Sequence, residues 1–336
     1  MLSQSKEMFD MLQKSKKKKS KKSIFITFLL IVAITFFVCK YVVIPENSNI
    51  LKEEYGNNNL PNLSSKTIPK PSVSISSDKL RSSSAILIRL DDYAILMQKN
   101  SEDRIYPASL TKIMTAIVAI ENLPDLKEEI KLTDSTFQGL YEADASMAGF
   151  QPGERVRAID LLYGAILPSG AECCVGLAER IAGSERNFAE MMNQKAKKLG
   201  MNNTHFENST GLHDENHYTT VKDLSVLLSY ALQNELFREI FTSSRHSTRP
   251  TNIHPDGITY YSTLFEKLKF KNQNIINGEI LGGKTGYTDN AGLCLASLAK
   301  VGKHEYILIT AGAKGNQHSE QYNVTDAIAV YNGIYE

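Results

Sequence analysis

From residue 85 onward the apolar positions alternate between two periods, and each change of period marks an element. Ala85-Ile86-Leu87-Ile88-Arg89-Leu90 and Tyr93-Ala94-Ile95-Leu96-Met97 are short apolar runs separated by Asp91-Asp92, the pattern of a β-hairpin. A helical period then takes over. Leu110, Ile113, Met114, Ile117 and Val118 recur three and four apart and reach beyond one stripe, which predicts a buried, central helix ending near Pro124. Between Lys127 and Ala165 the pattern is mixed, with a turn at Gln151-Pro152-Gly153-Glu154. Three more helices are expected. One runs over Ala158–Leu167 and is stopped by Pro168, one runs from Glu172 to about Ala182 and is closed by Gly183, and one over Glu185–Leu199 is capped by Ser184 and closed by Gly200. Thr220-Val221-Lys222-Asp223 resembles a capping box ahead of a helix over Leu224–Leu232. Strands return over Glu279–Gly286, Leu293–Leu298 and His304–Ala311, and a helix over Ser319–Tyr331 ends the chain. Strands at both ends with helices between them imply an α+β fold, an antiparallel sheet built from the two chain ends beside a mostly helical middle subdomain.

The stretch before residue 85 reads differently. Ile24–Ile44 is apolar apart from two threonines, Lys40 and Tyr41, long enough to cross a bilayer, and it follows directly on a lysine run over Lys14–Lys22. Residues 1–44 hold nine lysines against Glu7 and Asp10, so the chain's net charge of +1 conceals a segment of +7 and a remainder of −6. Lysines held in the cytoplasm place everything after the span outside. No small-residue cleavage site follows, so the expectation is an uncleaved signal-anchor. Pro45, Pro61, Pro69 and Pro71 among Asn and Ser then describe a spacer. The expected organisation is a cytoplasmic tail over 1–23, a transmembrane signal-anchor over 24–44, a flexible spacer over 45–81 and one folded domain over 82–336.

Composition narrows the chemistry. With 42% hydrophobic and 22% charged residues over 336 positions, the chain can bury a substantial core. The acidic remainder shows no clustered basic face of the kind a nucleic-acid partner demands. Four cysteines are too few for a disulfide scaffold, and Cys39, the adjacent Cys173 and Cys174, and the lone Cys294 read as small hydrophobes. His213 and His217 with Asp214 lack the glutamate of H-E-x-x-H, so no metal is expected. Asn62, Asn202, Asn208 and Asn323 open N-x-S/T patterns and read as ordinary loop residues.

Ser109 and Lys112 are the polar exceptions in the first helical run, and their spacing places both on one face. Alone they read first as an N-cap serine and a snorkelling lysine. A lysine in a dry pocket can also lose its proton and activate a serine. Two later segments strengthen the second reading. Ser169-Gly170-Ala171 sits in a sharp break between helices, and Lys284-Thr285-Gly286 ends a strand where a lysine and a hydroxyl can hold a carboxylate.

In this order the three elements resemble the S-x-x-K, S-x-N and K-T-G elements of the penicillin-recognising serine acyl-transferases. The similarity is greatest to the low-molecular-weight D-alanyl-D-alanine carboxypeptidases, with the β-lactamase/DD-peptidase-like fold. Supporting stretches are Pro107–Thr115, Ser146-Met147-Ala148, Pro152–Val156, Asp160–Gly164, Gly211–Thr220 and Gly283–Thr288. The resemblance implies Ser109 as nucleophile, Lys112 as its base and Ser169 as the group passing a proton to the leaving D-alanine. It implies Lys284 and Thr285 as binders of the substrate carboxylate, Gly286 as the point of close backbone approach, and the backbone N–H groups of Ser109 and Tyr287 as the oxyanion hole. It implies no cofactor. Expected partners are a peptidoglycan stem peptide ending in D-Ala-D-Ala, β-lactams as covalent inhibitors, and a bacterial cell membrane crossed once, with the domain on its outer side. Ala171 stands where the second element usually carries asparagine, with Glu172 as a conceivable substitute. That departure leaves room for a wall-peptide-binding ectodomain of slow turnover. A β-lactamase is disfavoured because no E-x-x-L-N-like segment lies between Ser169 and Lys284. Many relatives continue into a β-rich domain and an amphipathic anchor; the expectation here is that anchoring is N-terminal instead.

Overall fold

The computed structural model of the protein describes residues 76–269 and 275–334. The expected cytoplasmic tail and signal-anchor lie outside the described residues, as does most of the spacer; among the described residues no helix is long and apolar enough to cross a membrane. The last residues assigned to the spacer are packed. Leu80 is buried, and the backbone N–H groups of Arg81 and Ser82 donate to Asp326 near the other chain end.

The hairpin of β1 (Ser84–Arg89) and β2 (Ile95–Lys99) forms as its pattern predicts. Helix α1 (Thr111–Asn122) follows, then β3 (Glu129–Lys131) paired with β4 (Arg155–Arg157), then α2 (Ala158–Ile166), α3 (Ala171–Ala182), α4 (Glu185–Lys198), α5 (Val221–Ala231) and α6 (Glu235–Thr242). A second small hairpin, β5 (Arg245–Ser247) with β6 (Thr259–Tyr261), leads into α7 (Thr263–Lys269). The chain closes with β7 (Gly278–Thr288), β8 (Gly292–Val301), β9 (His304–Ala313) and α8 (Tyr322–Asn332). The main sheet has the order β2-β1-β9-β8-β7 and is antiparallel throughout, joining the two chain ends as expected.

Both faces of that sheet are covered, which is why its strands read as nearly continuous apolar runs. Ile86 and Ile88 of β1, with Ile307 and Ile309 of β9, pack into the core shared with α1 to α6. Ala85 and Leu87, with Leu308, pack against Val324, Ala327 and Tyr331 of α8. Period-two alternation sends neighbouring residues to opposite cores. Helix α1 runs through the larger core, with every residue from Thr111 to Ala119 buried.

Helix ends follow local chemistry. Ser184 accepts the Asn187 N–H, Gly183 closes α3 at φ 75°, and Gly200 follows α4 at φ 76°. At α5, Thr220 accepts the Asp223 N–H, yet Asp223 does not complete the expected box: its carboxylate accepts instead from Asn203 N–H and Thr204 Oγ1. Helix α7 and the two small hairpins have too few residues each to show a period, whereas α6 carries one, with Leu236, Phe237, Ile240 and Phe241 on its buried face, that is missing from the sequence-based expectations. Asn323 is no loop residue but a buried member of α8 whose amide donates to Cys294 O. Cys173, Cys174 and Cys294 are free and buried, and burial lifts the thiols of Cys174 and Cys294 to about 12.

Candidate active site

Ser109 belongs to a short 3-10 turn, Ala108–Leu110, that feeds straight into α1. The turn is strained, because Ala108 holds φ 48°, a region costly for a residue with a Cβ. Two neighbours fix it there. Gly211, itself at φ 81°, lies so close that a Cβ on it would stand 1.9 Å from Ala108 O. On the other side β7 runs against the turn, and a Cβ on Gly286 would stand 3.1 Å from Ser109 N. The 208–212 loop is itself braced, since Asn208 Oδ1 accepts from Thr210 N–H, Thr210 Oγ1 and Gly211 N–H. Asn208 is thus a positioning residue, which its N-x-S/T pattern did not suggest.

Lys112 Nζ lies 3.0 Å from Ser109 Oγ and donates to Thr210 O at 2.6 Å. Burial pulls this amine below the ordinary lysine range, and nearby Cys174 and Glu172 oppose the shift only in part. A neutral amine suits these partners: an N–H serves Thr210 O and the lone pair remains for the Ser109 O–H. The histidines next to this region hold the frame together. His217 Nδ1 accepts the Glu207 N–H, so Nε2 is left to donate to Thr111 Oγ1 at 2.8 Å. Burial presses His217 down to about 4, which keeps it neutral. His213 packs edge-on against Tyr106. Among the described residues no cluster of His, Cys, Asp and Glu has the arrangement of a metal site.

Ser169 sits at φ 71° between α2 and α3, buried, and its hydroxyl has no partner. The break is held by Gly170 N–H to Gly164 O and Ala171 N–H to Ser146 O, both 2.8 Å. Ala171 offers only a methyl, packed with Leu140 and Val175. Glu172, the polar neighbour of Ala171, divides its carboxylate, Oε2 being buried without a partner. Its Oε1 accepts from Ala148 N–H at 2.7 Å and Gly149 N–H at 2.9 Å, so it organises the 148–150 loop, and burial raises its carboxyl above the usual range.

On β7, the period of two puts Lys284 and Gly286 on one face, toward α1. Lys284 is fully buried with Nζ donating to Thr285 O at 2.9 Å, and burial followed by the charge of Lys112 pushes it well down. Thr285 Oγ1 shares a 2.8 Å hydrogen bond with Thr263 Oγ1 at the start of α7, a contact that sequence patterning did not reveal. Because β7 is an edge strand, one side of its backbone is left unpaired by the sheet.

Part of this set, Ser109, Lys112, Ala171, Thr210 and Tyr287, lines a cleft of ≈ 390 Å³. Ser169, Lys284, Thr285 and Gly286 are not among the residues that line it. The arrangement supplies a serine beside a lysine amine, a buried lysine on an edge strand and an unpartnered hydroxyl, the parts of an acyl-transfer site for an anionic, extended substrate.

Comparison with known proteins agrees with this reading. The family described as D-alanyl-D-alanine carboxypeptidase matches residues 71–315. A D-alanyl-D-alanine carboxypeptidase of Bacillus subtilis, DacF, is 37% identical over 234 residues, covering 68% of this chain and 57% of that protein. DacC of Escherichia coli, which bears the same description, is 34% identical over 240 residues, covering 67% and 56%. The chain thus spans little more than half the length of these relatives. Among solved structures, a DD-transpeptidase of Streptomyces aligns with a TM-score of 0.67 at 25% identity, covering 77% of this chain and 99% of that one. A D-alanyl-D-alanine carboxypeptidase from Mycobacterium tuberculosis shares the fold with a TM-score of 0.67 at 23% identity, covering 80% and 97%.

Proposed function

The chain belongs to the D-alanyl-D-alanine carboxypeptidase family, and we propose that it is a serine hydrolase that removes the terminal D-alanine from peptidoglycan stem peptides ending in D-Ala-D-Ala. The observation that carries this is the 3.0 Å approach of the buried Lys112 amine to Ser109 Oγ at the wall of the cleft.

In this reading the stem peptide lies extended along the open edge of β7, its backbone pairing with the strand. Its carboxylate meets Thr285 and the ammonium of Lys284. The incoming negative charge restores the proton affinity that burial has taken from that lysine. Ser109 Oγ attacks the penultimate carbonyl while Lys112 takes its proton. The oxyanion forms at the backbone N–H groups of Ser109 and Tyr287, where loss of one donor typically costs about 10²–10³ in rate. Ser169 relays the proton to the departing amine, and water then releases the acyl group from Ser109. Lys112 works only as the free base, so activity falls as pH drops through its lowered pKa. A β-lactam acylates the same serine.

The organisation proposed around this domain is a basic cytoplasmic tail over 1–23, a single span over 24–44 and a spacer over 45–81, which would present residues 82–336 outside a bacterial membrane. The apolar setting of Ala171 sustains a second reading, an ectodomain that is acylated by wall peptides or penicillin and turns over slowly. A D-alanine release assay on a stem peptide separates the two. The hydrolase releases D-alanine and Ser109→Ala does not; penicillin labelling of Ser109 without D-alanine release selects the second reading.

A further inference from the structure

Away from the catalytic cleft, the β3–β4 hairpin and the turn at Arg249–Thr251 enclose a concavity of ≈ 200 Å³. Four cations line it, Lys127, Arg155, Arg157 and Arg249, against two acids, Glu129 and Asp160. The pairs are not evenly matched. Arg157 donates twice to Asp160, at 2.8 Å each, and His246 Nε2 lies 2.8 Å from the same carboxylate, so that acid is already fully engaged. The side chains of Lys127, Arg155 and Arg249 form no hydrogen bond or ion pair among the described residues. Their surplus is unexpected, because the chain beyond residue 44 carries a net charge of −6.

The charges are also crowded at a cost. Lys131 stands directly opposite Arg155 on the β3–β4 ladder, a like-charge pair that weakens the hairpin. The frame beneath them is nevertheless firmly held. Arg155 N–H donates to Asn252 Oδ1 at 2.8 Å, Asn252 Nδ2 donates to Gly153 O, and Thr251 Oγ1 donates to the buried Glu154 at 2.6 Å. His254 Nδ1 meets the same Glu154 oxygen at 2.8 Å. A rigid concavity lined by excess charge of one sign focuses its field on a ligand of the other.

We propose that this concavity binds a phosphate group of an anionic polymer. Arg155 and Arg249 supply planar, bidentate donors for the oxyanion, and Lys127 supplies a point charge. Lys131, outside the concavity beside Arg155, extends the positive row to a neighbouring phosphate, which suits a repeating polyanion better than an isolated ion. A bilayer surface suits it less, because none of the exposed large hydrophobic residues among those described, Tyr141, Tyr261 and Ile276, lines the concavity to anchor it.

The test is calorimetric titration of the detergent-solubilised full chain with poly(glycerol phosphate), inorganic phosphate and acetate, alongside co-sedimentation with vesicles of phosphatidylglycerol and phosphatidylcholine. The polymer and inorganic phosphate should each saturate the protein and weaken as salt rises, while acetate at equal ionic strength should not displace them. The double variant Arg155→Gln/Arg249→Gln should bind the polymer at least about tenfold more weakly while retaining its melting temperature and any D-alanine release. Absence of saturable binding, or an unchanged affinity in the double variant, overturns the proposal. Tighter attachment to the vesicles than to the polymer overturns the assignment to a polymer.

Discussion

The turn that carries Ser109 and the break that carries Ser169 hold the two serines of the proposed site, yet they are built on opposite principles. Around Ser109 the polar groups are engaged: Lys112 reaches both Ser109 Oγ and Thr210 O, and Asn208 accepts three donors from the loop that braces the turn. Around Ser169 the hydroxyl is buried without a partner, and the adjoining Ala171 presents a methyl group. A buried polar group left unpaired typically costs about 1–3 kcal/mol. In the proposed mechanism the attacking half is therefore already hydrogen-bonded in the free protein, whereas the half assigned to the leaving group awaits a ligand to complete it.

That contrast predicts opposite signatures for two substitutions. Ser169→Ala removes an unpartnered hydroxyl, so its melting temperature should stay the same or rise. Turnover should nevertheless drop by about 10²–10³-fold, within the range of a lost proton-transfer group. Kinetics of D-alanine release together with thermal unfolding checks both halves of the statement. Equal losses of stability and activity would mean that Ser169 is structural and that the contrast is wrong.

Gly211→Ala should fail in the other way, losing activity and stability together. Its Cβ would stand 1.9 Å from Ala108 O at a backbone angle that disfavours any side chain. Relief requires the nucleophile turn to shift, and a displacement of about 1 Å costs on the order of 10²-fold in rate. Penicillin acylation measures this directly, because it reads the attack step apart from the later release. Acylation at the wild-type rate would show that the turn does not depend on the 208–212 loop.

How much of this was legible beforehand depended on whether a feature is local. The central helix, the hairpin at Asp91-Asp92 and the glycine stops at Gly183 and Gly200 follow from residues a few positions apart, and they stand where the sequence pattern puts them. Ser109 and Lys112 were visible for the same reason, as they are one turn apart. The brace on them was not, because Gly211 and Thr210 meet the turn across about a hundred residues, and nothing in their local pattern declares the contact. Thr263, bonded to Thr285, was missed for the same reason. Asp223 shows the converse. Its spacing from Thr220 suggested a reciprocal cap, but the Asn203-Thr204 turn, arriving from elsewhere in the fold, claims its carboxylate. Asn323 follows the same lesson, since only the packed fold reveals that its amide serves the Cys294 carbonyl.

The smallest expected effect concerns Ala171 and is the one that sharpens the comparison most. If the alanine merely left the site short of an amide, restoring asparagine would raise turnover. The surroundings argue otherwise, because the methyl packs with Leu140 and Val175 while Leu212 closes on the same cluster. Glu172, the adjoining polar side chain, commits Oε1 to the 148–150 backbone. An asparagine amide must either displace that apolar contact or lie within it, and burying it without full hydrogen bonding costs about 1–3 kcal/mol. One new hydrogen bond to substrate returns about 1 kcal/mol, roughly fivefold in rate. Ala171→Asn should therefore lower the melting temperature and change D-alanine release by less than about tenfold in either direction. A gain well beyond tenfold without loss of stability would show that the cluster yields freely, and that the leaving-group half lacks a polar group which the substrate alone does not provide.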